Sequence, residues 1–289
     1  MLTGKDGQLG RALAGVLLSS CRLVAVGRAE LDISDRDAVT RAVGAIAPDV
    51  IVNAAAYTDV DGAEREAAQA MAVNRDGVGW LAEAARGRDA AILHVSTDFV
   101  FAGDGGAPYA EGAATAPINV YGASKLAGET VLAASGARHL ILRTSWLFSE
   151  FPGNFVSRIL ALIQERESLS VVDDQIGTPT DAHFLAGVIA HLIGRSDVFA
   201  SEHAILHVAN NGQASRFELA QQVLTEVHRT GGRSKVREVR PIATAAYPLP
   251  ARRPGDSRLS IARLRSDFGI DAPDWRISIS SVLERSVRP

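Results

Sequence analysis

The stretch Thr3–Gly10, TGKDGQLG, has glycines at positions 4, 7 and 10, and it leads into an amphipathic helical pattern over Gln8–Ser19. Glycines at this spacing let the backbone turn tightly and bring its N–H groups close to a pyrophosphate, while the helix N-terminus adds partial positive charge. Spaced glycines alone are a weak signal, since many strand–helix turns use them. Because only Met1–Thr3 precede Gly4, the first strand is predicted to be short or to begin upstream of the printed start.

Four β-rich runs alternate with helical patterns around and after this turn. The runs are apolar on both faces, as buried parallel strands are, and they cover Arg22–Val26, Val50–Asn53, Ala91–Ser96 and His139–Thr144. The helical patterns cover Gln8–Ser19, Asp35–Ile46, Ala68–Arg88 and Val120–Ser135. This alternation predicts an α/β fold of the Rossmann type, a doubly wound parallel sheet with helices on both faces.

The alternation breaks after about Thr144. The next patterns are a helix, a strand with turns, a second helix and a further strand, at Asn154–Glu165, Ser170–Thr180, His183–Ile193 and Ile205–Ala209. Later segments are short and cut by prolines. We predict an NADP-binding domain of residues 1–150 plus about 181–209, and a smaller C-terminal substrate-binding lobe of about 151–180 and 210–289.

Composition excludes several classes of protein. The chain has 289 residues, a formal net charge of -3 and one cysteine, Cys21, so neither a nucleic-acid-binding surface nor a disulfide scaffold is indicated. No apolar run approaches membrane-spanning length, and the early glycine turn leaves no room for a signal peptide. We therefore expect a cytoplasmic protein that acts on a small molecule, with no nucleic-acid partner and no membrane partner.

Tyr121 and Lys125 stand four residues apart in a helical pattern, so both side chains lie on one helix face. The usual pKa of a phenol is about 10, and a neighbouring ammonium is predicted to lower it and make the proton transferable. Thr97 and Asp98 follow a predicted strand, where ligands bind in doubly wound sheets. A surface pair and a helix-cap turn are the structural alternatives for these two motifs.

The end of the second predicted strand, VAVGR at residues 24–28, bears on the choice of cofactor. An NAD-selective site would place an acidic residue there, whereas Arg28 is suited to pair with a 2′-phosphate. We therefore expect NADPH to be preferred, with NADH also usable, and Asp32 and Ile33 to flank the adenine. A solvated surface charge is the alternative for Arg28.

Together these residues resemble the extended short-chain dehydrogenase/reductase family, and within it the reductases of nucleotide-linked 4-ketosugars. The resemblance covers most of the chain, in order, and rests on TGKDGQLGRAL (3–13), LDISD (31–35), PDVIVNAAAYTDVDGAE (48–64), AVN (72–74), VSTDFVFAG (95–103), PINVYGASKLAGE (117–129), RTSWLF (143–148), DDQIGTPT (173–180) and RPGDSRLS (253–260). The glycine turn is generic, but the other motifs are specific in combination.

The resemblance implies NADPH-dependent reduction of the C4 ketone of dTDP-4-dehydro-6-deoxy-L-mannose to dTDP-L-rhamnose. It implies Tyr121 as the general acid, Lys125 as the residue that positions the ribose, and Thr97 as a hydrogen-bond partner of the ketone. Asp98, Trp146 and Arg253 are implied to contact the substrate. The implied cofactor contacts, besides Tyr121 and Lys125, are Gly4, Gly7, Gln8, Leu9, Arg28, Asp32, Ile33, Ala54, Ala55, Ala56 and Tyr57.

Other functions stay open at this point. Related 4,6-dehydratases place a glutamate after the Thr-Asp pair, and Phe99 at that position favours simple reduction. A reductase acting on a UDP- or GDP-linked sugar, an epimerase and a non-catalytic NADP-binding regulatory subunit remain as alternatives.

Metal binding and assembly are less well defined by the sequence. His203 and His207 lack an apparent third ligand, so no metal site is predicted from them. Some relatives hold Mg²⁺ between subunits through glutamates, and no residue of this chain can be assigned to that role. A homodimer is one option for assembly.

The mixed charges of Asp61–Glu66 are predicted to form a solvated helix start.

Overall fold

A parallel six-stranded sheet forms the centre of the computed structural model, which describes residues 1–105, 108–199 and 204–287. With strands numbered along the chain, this sheet consists of β1 (Leu2–Thr3), β2 (Ala25–Val26), β3 (Val50–Asn53), β4 (Ala91–Thr97), β5 (His139–Thr144) and β10 (Ile205–His207). Their spatial order is β10-β5-β4-β3-β1-β2. The chain therefore reverses its direction of progress across the sheet between β1 and β3, where such sheets bind ligands beyond the strand ends.

Helices cover both faces of this sheet, which confirms the predicted doubly wound fold. On one face, α1 (Gln8–Leu17) packs against α8 (Ala182–Ile193). The other face carries α2 (Arg36–Ile46), α5 (Gly77–Arg86) and α6 (Val120–Ala134). Side chains such as Leu13 and Ile189 on the first face and Val39 and Leu81 on the second are fully buried, so the sheet lies between two apolar cores.

One predicted helix is interrupted in the structure, whereas the first strand is short as predicted. The helix predicted over Ala68–Arg88 consists of α4 (Ala67–Met71), a π-helical turn over Ala72–Asp76 and then α5; a short α3 (Val60–Ala63) precedes it. π-Turns recur at functional sites, and this one turns Asn74 into the protein interior. The central strand β1 is as short as predicted, and the Met1 amino group extends it by donating to the Val50 carbonyl at 2.8 Å.

The remaining elements lie mostly in the second half of the chain. The strands are β6 (Leu147–Phe148), β7 (Ser168–Val172), β8 (Ile176–Gly177), β9 (Thr180–Asp181), β11 (Ala214–Ser215) and β12 (Glu238–Ile242). The helices are α7 (Phe155–Glu165), α9 (Arg216–Arg229), α10 (Ala262–Phe268) and α11 (Trp275–Val287). The strand predicted from Ser170 to Thr180 is thus β7, which starts two residues earlier, followed by turns and two very short strands.

A separate apolar core forms around α7, β7, α9 and α11. Its buried members include Ile159, Val171, Val223 and Trp275. This core fits the expected substrate-binding lobe, while the exact division into domains stays a prediction. No helix among the described residues is long and apolar enough to cross a membrane.

Candidate active site

The glycine turn joins β1 to α1 at the point where the sheet reverses direction. Gly4 has φ +74°, and a side chain there would approach the backbone of Ala54 and Ala55 at 2.7 Å. Glycine is therefore required both for the backbone conformation and for the close approach of the two strand ends. Gly7 is the N-cap of α1, and no side chain caps that helix. The predicted phosphate-binding residues Gly4, Gly7, Gln8 and Leu9 thus stand beside the predicted cofactor residues that follow β3.

Two of these residues also have structural roles. The Gln8 side chain accepts a hydrogen bond from the Ser149 hydroxyl at 2.8 Å, which ties the turn to the segment after β6. Leu9 is 6% exposed and packs in the core between α1 and the sheet. Any contact of Leu9 with a cofactor would therefore involve its backbone.

Beyond β2, the predicted adenosine-binding residues differ in exposure. The Arg28 side chain is 78% exposed, and its Nε lies 3.8 Å from Asp32 Oδ2. Hydrogen bonds from the hydroxyl and backbone N–H of Ser34 hold Asp32 and lower the pKa of its carboxyl. Ile33 is 4% exposed and packs near Gly77, so its side chain contributes to the core. Arg28 is thus exposed enough to meet an anion at the surface.

Sequence reasoning missed an ion pair at the same place. Lys5, within the glycine turn, pairs with Glu30, and the other Glu30 oxygen accepts from the Gly27 N–H at 2.8 Å. Both carboxylate oxygens of Glu30 are therefore engaged. The acidic residue sits after VAVGR, beyond the position where sequence reasoning looked for it.

The segment after β3 is fixed by Asn74 of the π-turn. The Asn74 amide exchanges two hydrogen bonds with the backbone of Tyr57, at 2.9 and 3.0 Å, and donates to the Ser124 hydroxyl of α6 at 2.9 Å. It therefore links the predicted cofactor segment Ala54–Tyr57 to the helix that bears Tyr121. The sequence motif AVN contained this residue, but only the π-turn reveals its role.

Tyr121 lies near the start of α6, and the start of that helix is tightly held. Asn119 caps it by accepting from the Gly122 N–H at 2.7 Å, and Glu64 accepts from the Val120 N–H at 2.9 Å. A side chain at Gly122 would lie 2.1 Å from the Phe99 carbonyl oxygen, so glycine allows the helix to approach the end of β4. This approach brings Tyr121 against Phe99, with ring centroids 5.8 Å apart in an edge-to-face arrangement.

Thr97, Asp98 and Tyr121 form a hydrogen-bonded group at the carboxyl end of β4. The Thr97 hydroxyl donates to Asp98 Oδ1 at 3.0 Å and hydrogen-bonds the Tyr121 phenol. Burial raises the pKa of Asp98 to about 6, against the opposing effects of hydrogen bonds from Ser257 and Thr97 and the charge of Arg216. Asp98 Oδ2 is buried without a partner among the described residues.

The prediction that Lys125 lowers the pKa of the Tyr121 phenol is wrong in this arrangement. Burial raises that pKa to about 12, the Thr97 hydrogen bond opposes the rise and the Asp98 charge adds to it. The Lys125 amine instead lies 2.7 Å from the Val95 carbonyl oxygen, to which it donates. Tyr121 is therefore a protonated phenol, which suits a proton donor.

The structure also brings together side chains from both halves of the chain around Trp146, a predicted substrate residue. Trp146 follows β5 with φ +45°, a conformation that non-glycine residues rarely adopt. Its ring packs against Gly177, and the Arg216 guanidinium stacks on the ring with a carbon-to-centroid distance of 3.5 Å. Sequence reasoning missed Arg216, because residue 216 meets Trp146 only through the fold.

Arg216 and Arg253 lie close enough for their charges to interact, and they differ in pairing. Arg253 donates to Asp61 at 2.8 Å, so Asp61 is anchored to a distant loop and the predicted solvated helix start is wrong for this residue. Among the described residues no carboxylate forms an ion pair with Arg216, whose pKa burial lowers to about 10. The pair places positive charge beside Asp98 and Trp146.

These residues fit a dinucleotide better than a metal. The uncapped start of α1, the glycine cradle at Gly4 and the cations Lys5 and Arg28 suit a phosphorylated ligand. Within the described part of the chain, no group of three or more His, Cys, Asp or Glu side chains could hold a metal ion. His207 is buried in β10 with Nδ1 at 3.1 Å from the Tyr109 carbonyl oxygen, whereas His203 lies outside the described residues.

Comparisons with known proteins agree along the whole chain. The family described as "RmlD substrate binding domain" matches residues 1–288. A dTDP-4-dehydrorhamnose reductase from Sinorhizobium fredii is 42% identical, over 96% of this chain and 94% of that protein. One from Escherichia coli K12 is 39% identical, over 98% and 96% respectively. A solved dTDP-4-dehydrorhamnose reductase from Bacillus anthracis, in complex with NADP, superposes with a TM-score of 0.91 at 35% identity and 98% coverage of both chains.

Sequence and fold thus agree, and the extended short-chain dehydrogenase/reductase resemblance is confirmed. The chain belongs to the RmlD substrate-binding-domain family, that of the dTDP-4-dehydrorhamnose reductases.

Proposed function

We propose that this chain catalyses NADPH-dependent reduction of the C4 ketone of dTDP-4-dehydro-6-deoxy-L-mannose, which yields dTDP-L-rhamnose. The observation that carries the proposal is the hydrogen-bonded group of Tyr121, Thr97 and Asp98 at the end of β4, two strands along the sheet from β1 and its glycine turn. Full-length relatives named dTDP-4-dehydrorhamnose reductase support the substrate and the reaction.

Tyr121 acts as the general acid. NADPH, when bound, supplies the hydride that reaches C4. The phenol, whose pKa is about 12, still holds its proton at neutral pH and donates it to the C4 oxygen as negative charge develops there. An alkoxide is a stronger base than a phenolate, so this transfer is favourable. The Thr97 hydroxyl donates to Asp98 in the absence of substrate, and it can hydrogen-bond the ketone oxygen by rotating its proton from Asp98 to the substrate.

Lys125 positions the cofactor ribose in this proposal. It lies one helical turn after Tyr121 on α6, and its side chain is 2% exposed. Burial lowers the pKa of its amine to about 8, against the opposing charge of Glu129. The amine is held under the site by Val95, so few of its rotamers remain to be lost on binding.

Arg216 and Arg253 together are suited to the substrate diphosphate. Arg216 stacks on Trp146 and has no ion-pair partner in the described part of the chain, so its N–H groups can meet phosphate oxygens. Arg253 is already paired with Asp61 and adds weaker positive charge. Asp98 and Trp146 are then proposed to contact the sugar, and the Trp146 ring is partly exposed.

Arg28 is proposed to contact the 2′-phosphate of NADPH. Its side chain is exposed, and its 3.8 Å contact with Asp32 is long for an ion pair. Glu30 could otherwise favour a ribose hydroxyl, but Lys5 and the Gly27 N–H occupy its oxygens. This arrangement supports a preference for NADPH with NADH as a second cofactor.

The test is direct. The purified chain is mixed with NADPH and dTDP-4-dehydro-6-deoxy-L-mannose, and nicotinamide absorbance and sugar products are followed. The proposal requires loss of NADPH matched by formation of dTDP-L-rhamnose. Absence of turnover, or an undiminished rate in Tyr121→Phe, would refute it.

The same assay separates the alternatives. An epimerase would interconvert sugars without net loss of NADPH, and a regulatory subunit would bind NADP without turnover. Competition among dTDP-, UDP- and GDP-linked 4-ketosugars identifies the base that the site prefers, and we expect the dTDP-linked sugar.

A further inference from the structure

Glu30 lies where the glycine turn meets the end of β2. The backbone N–H of Lys5, within that turn, donates to the Val26 carbonyl at 3.2 Å, so the turn and the strand end are in contact. In sheets of this kind the pyrophosphate binds at the turn, and the 2′-position of the adenosine ribose lies beside the end of the second strand. Glu30 therefore stands where a site distinguishes NADH from NADPH.

The Glu30 carboxylate replaces an acidic side chain that the strand end itself lacks. An NAD-selective site carries such a side chain at the end of this strand. Residue 27, directly after β2, is glycine, and a Cβ there would lie 3.1 Å from Glu30 Oε2. Glu30, three residues further along the chain, thus brings a carboxylate back to Gly27, whose N–H donates to Oε2 at 2.8 Å.

The two groups that hold this carboxylate are also groups that bind phosphate. Lys5 pairs with Glu30 Oε1, and the Gly27 N–H donates to Oε2. An ammonium and a backbone N–H both bind phosphate oxygens. The Lys5 hydrogen bond is the main cause that lowers the pKa of the Glu30 carboxyl, so Glu30 is an anion at neutral pH. A carboxylate and a 2′-phosphate therefore compete for the same two donors.

We propose that Glu30 is a specificity-determining residue that takes the place of the 2′-phosphate and must leave that place before NADPH can bind fully. NADH lacks the phosphate and binds with Glu30 in position. The side chains of Lys5 and Glu30 are 32% and 49% exposed, so the carboxylate can swing into solvent without disturbing the core. Glu30 thereby limits the preference for NADPH that Arg28 creates. The choice of a nicotinamide dinucleotide as the ligand rests on the proposed function.

The other charged side chains at this place do not compete for the same donors. Asp6 also reaches Gly27, since a Cβ there would collide with its Oδ2, but Asp6 forms no ion pair among the described residues. Arg28 and Asp32 lie 3.8 Å apart and form a separate, exposed pair. Glu30 is thus the carboxylate that occupies both the ammonium of the turn and the N–H at the strand end.

Calorimetric titration of the purified chain with NADP⁺ and with NAD⁺ tests the proposal without any turnover. Glu30→Gln keeps the shape of the side chain but removes the charge that holds Lys5. Kd for NADP⁺ should fall about 3- to 10-fold, because an exposed ion pair and a hydrogen bond no longer compete with the phosphate. Kd for NAD⁺ should change by less than about 2-fold. An unchanged or higher Kd for NADP⁺, or an equal fall for both dinucleotides, overturns the proposal.

A double-mutant cycle with Lys5→Gln shows whether Glu30 acts through its ion pair. Lys5→Gln alone should weaken the binding of NADP⁺ and leave that of NAD⁺ nearly unchanged. In the Lys5→Gln background, Glu30→Gln should improve Kd for NADP⁺ by only about 2-fold or less, because no ammonium remains to be released. A full gain in that background would show that Glu30 acts only as a general negative charge, which contradicts the proposal.

Glu83→Gln and Asp6→Asn are the matched controls. Glu83 of α5 pairs with Arg36 of α2 at 2.7 Å on the surface, so Glu83→Gln makes the same change in net charge away from the turn. Asp6→Asn removes a negative charge beside the ribose position and leaves the ion pair of Glu30 intact. Both should change Kd for NADP⁺ less than Glu30→Gln does, and an equal gain from either contradicts the proposal. If both dinucleotides bind as expected but the ketosugar is not reduced, the proposed function fails while the role of Glu30 stands.

Discussion

Replacing Arg216 with methionine tests the residue that the fold adds to the predicted site. Methionine keeps a long, flexible side chain over the Trp146 ring but removes the guanidinium that stacks there at 3.5 Å. The guanidinium has no carboxylate ion-pair partner among the described residues, so its N–H groups are available to the substrate diphosphate.

The expected change in KM for the nucleotide sugar follows from the number of interactions that Arg216→Met removes. One charge-assisted hydrogen bond contributes about 1.5–3 kcal/mol, so KM for the nucleotide sugar should rise roughly 10- to 150-fold. The turnover number should change less, because Tyr121 and Thr97 keep their contacts. KM for NADPH should stay within about 2-fold, since the glycine turn and Arg28 are elsewhere.

The assay combines steady-state kinetics with two inhibitors. Both dTDP and thymidine contain the base and the deoxyribose, but only dTDP carries the diphosphate. Arg216→Met should weaken inhibition by dTDP far more than inhibition by thymidine. Equal weakening of both inhibitors, or an unchanged KM for the sugar nucleotide, would refute the assignment.

Arg276→Met is the matched control. Arg276 also stacks on a tryptophan, Trp275, with a carbon-to-centroid distance of 4.4 Å, but it lies half-exposed on α11. If loss of an arginine–tryptophan stack alone impaired substrate binding by destabilising the lobe, both variants would show a higher KM for the nucleotide sugar. We expect Arg276→Met to leave both KM values unchanged.

Three further substitutions test the acid, the cofactor site and the buried charges. Tyr121→Phe should lower kcat by about 10²- to 10⁴-fold, with the KM for NADPH little changed. Because the pKa of the phenol is about 12, the kcat of the wild type should show no loss from ionisation of Tyr121 below ~pH 10. Arg28→Ala should raise KM for NADPH by about 2- to 5-fold, as exposed ion pairs contribute little, and leave KM for NADH unchanged; a parallel rise for NADH would contradict the 2′-phosphate contact. Glu129→Gln should lower the free energy of unfolding in urea by about 3–5 kcal/mol, because it leaves the 3%-exposed Arg143 without its carboxylate partner. Glu83→Gln, which breaks an exposed ion pair, should lower that free energy by less than ~1 kcal/mol.

Local sequence patterns determined the sheet, its helices and the candidate reactive pair. Apolar runs at β3, β4 and β5 and the helical periodicity between them depend on neighbours in the chain, so their positions follow from the sequence almost residue by residue. The Tyr121–Lys125 spacing likewise places both residues on α6. These features depend on distances of a few residues, which the sequence encodes directly.

Tertiary structure alone decided the electrostatics of the site. The Tyr121 phenol is less acidic than usual because it is buried beside Asp98, and the Lys125 amine meets His94, which comes from a strand 31 residues earlier. Arg216 reaches Trp146 across 70 residues of chain. Spacing shows which side chains share a helix face, but burial and long-range contacts determine whether a group is charged, and these exist only once the sheet and the lobe have packed together.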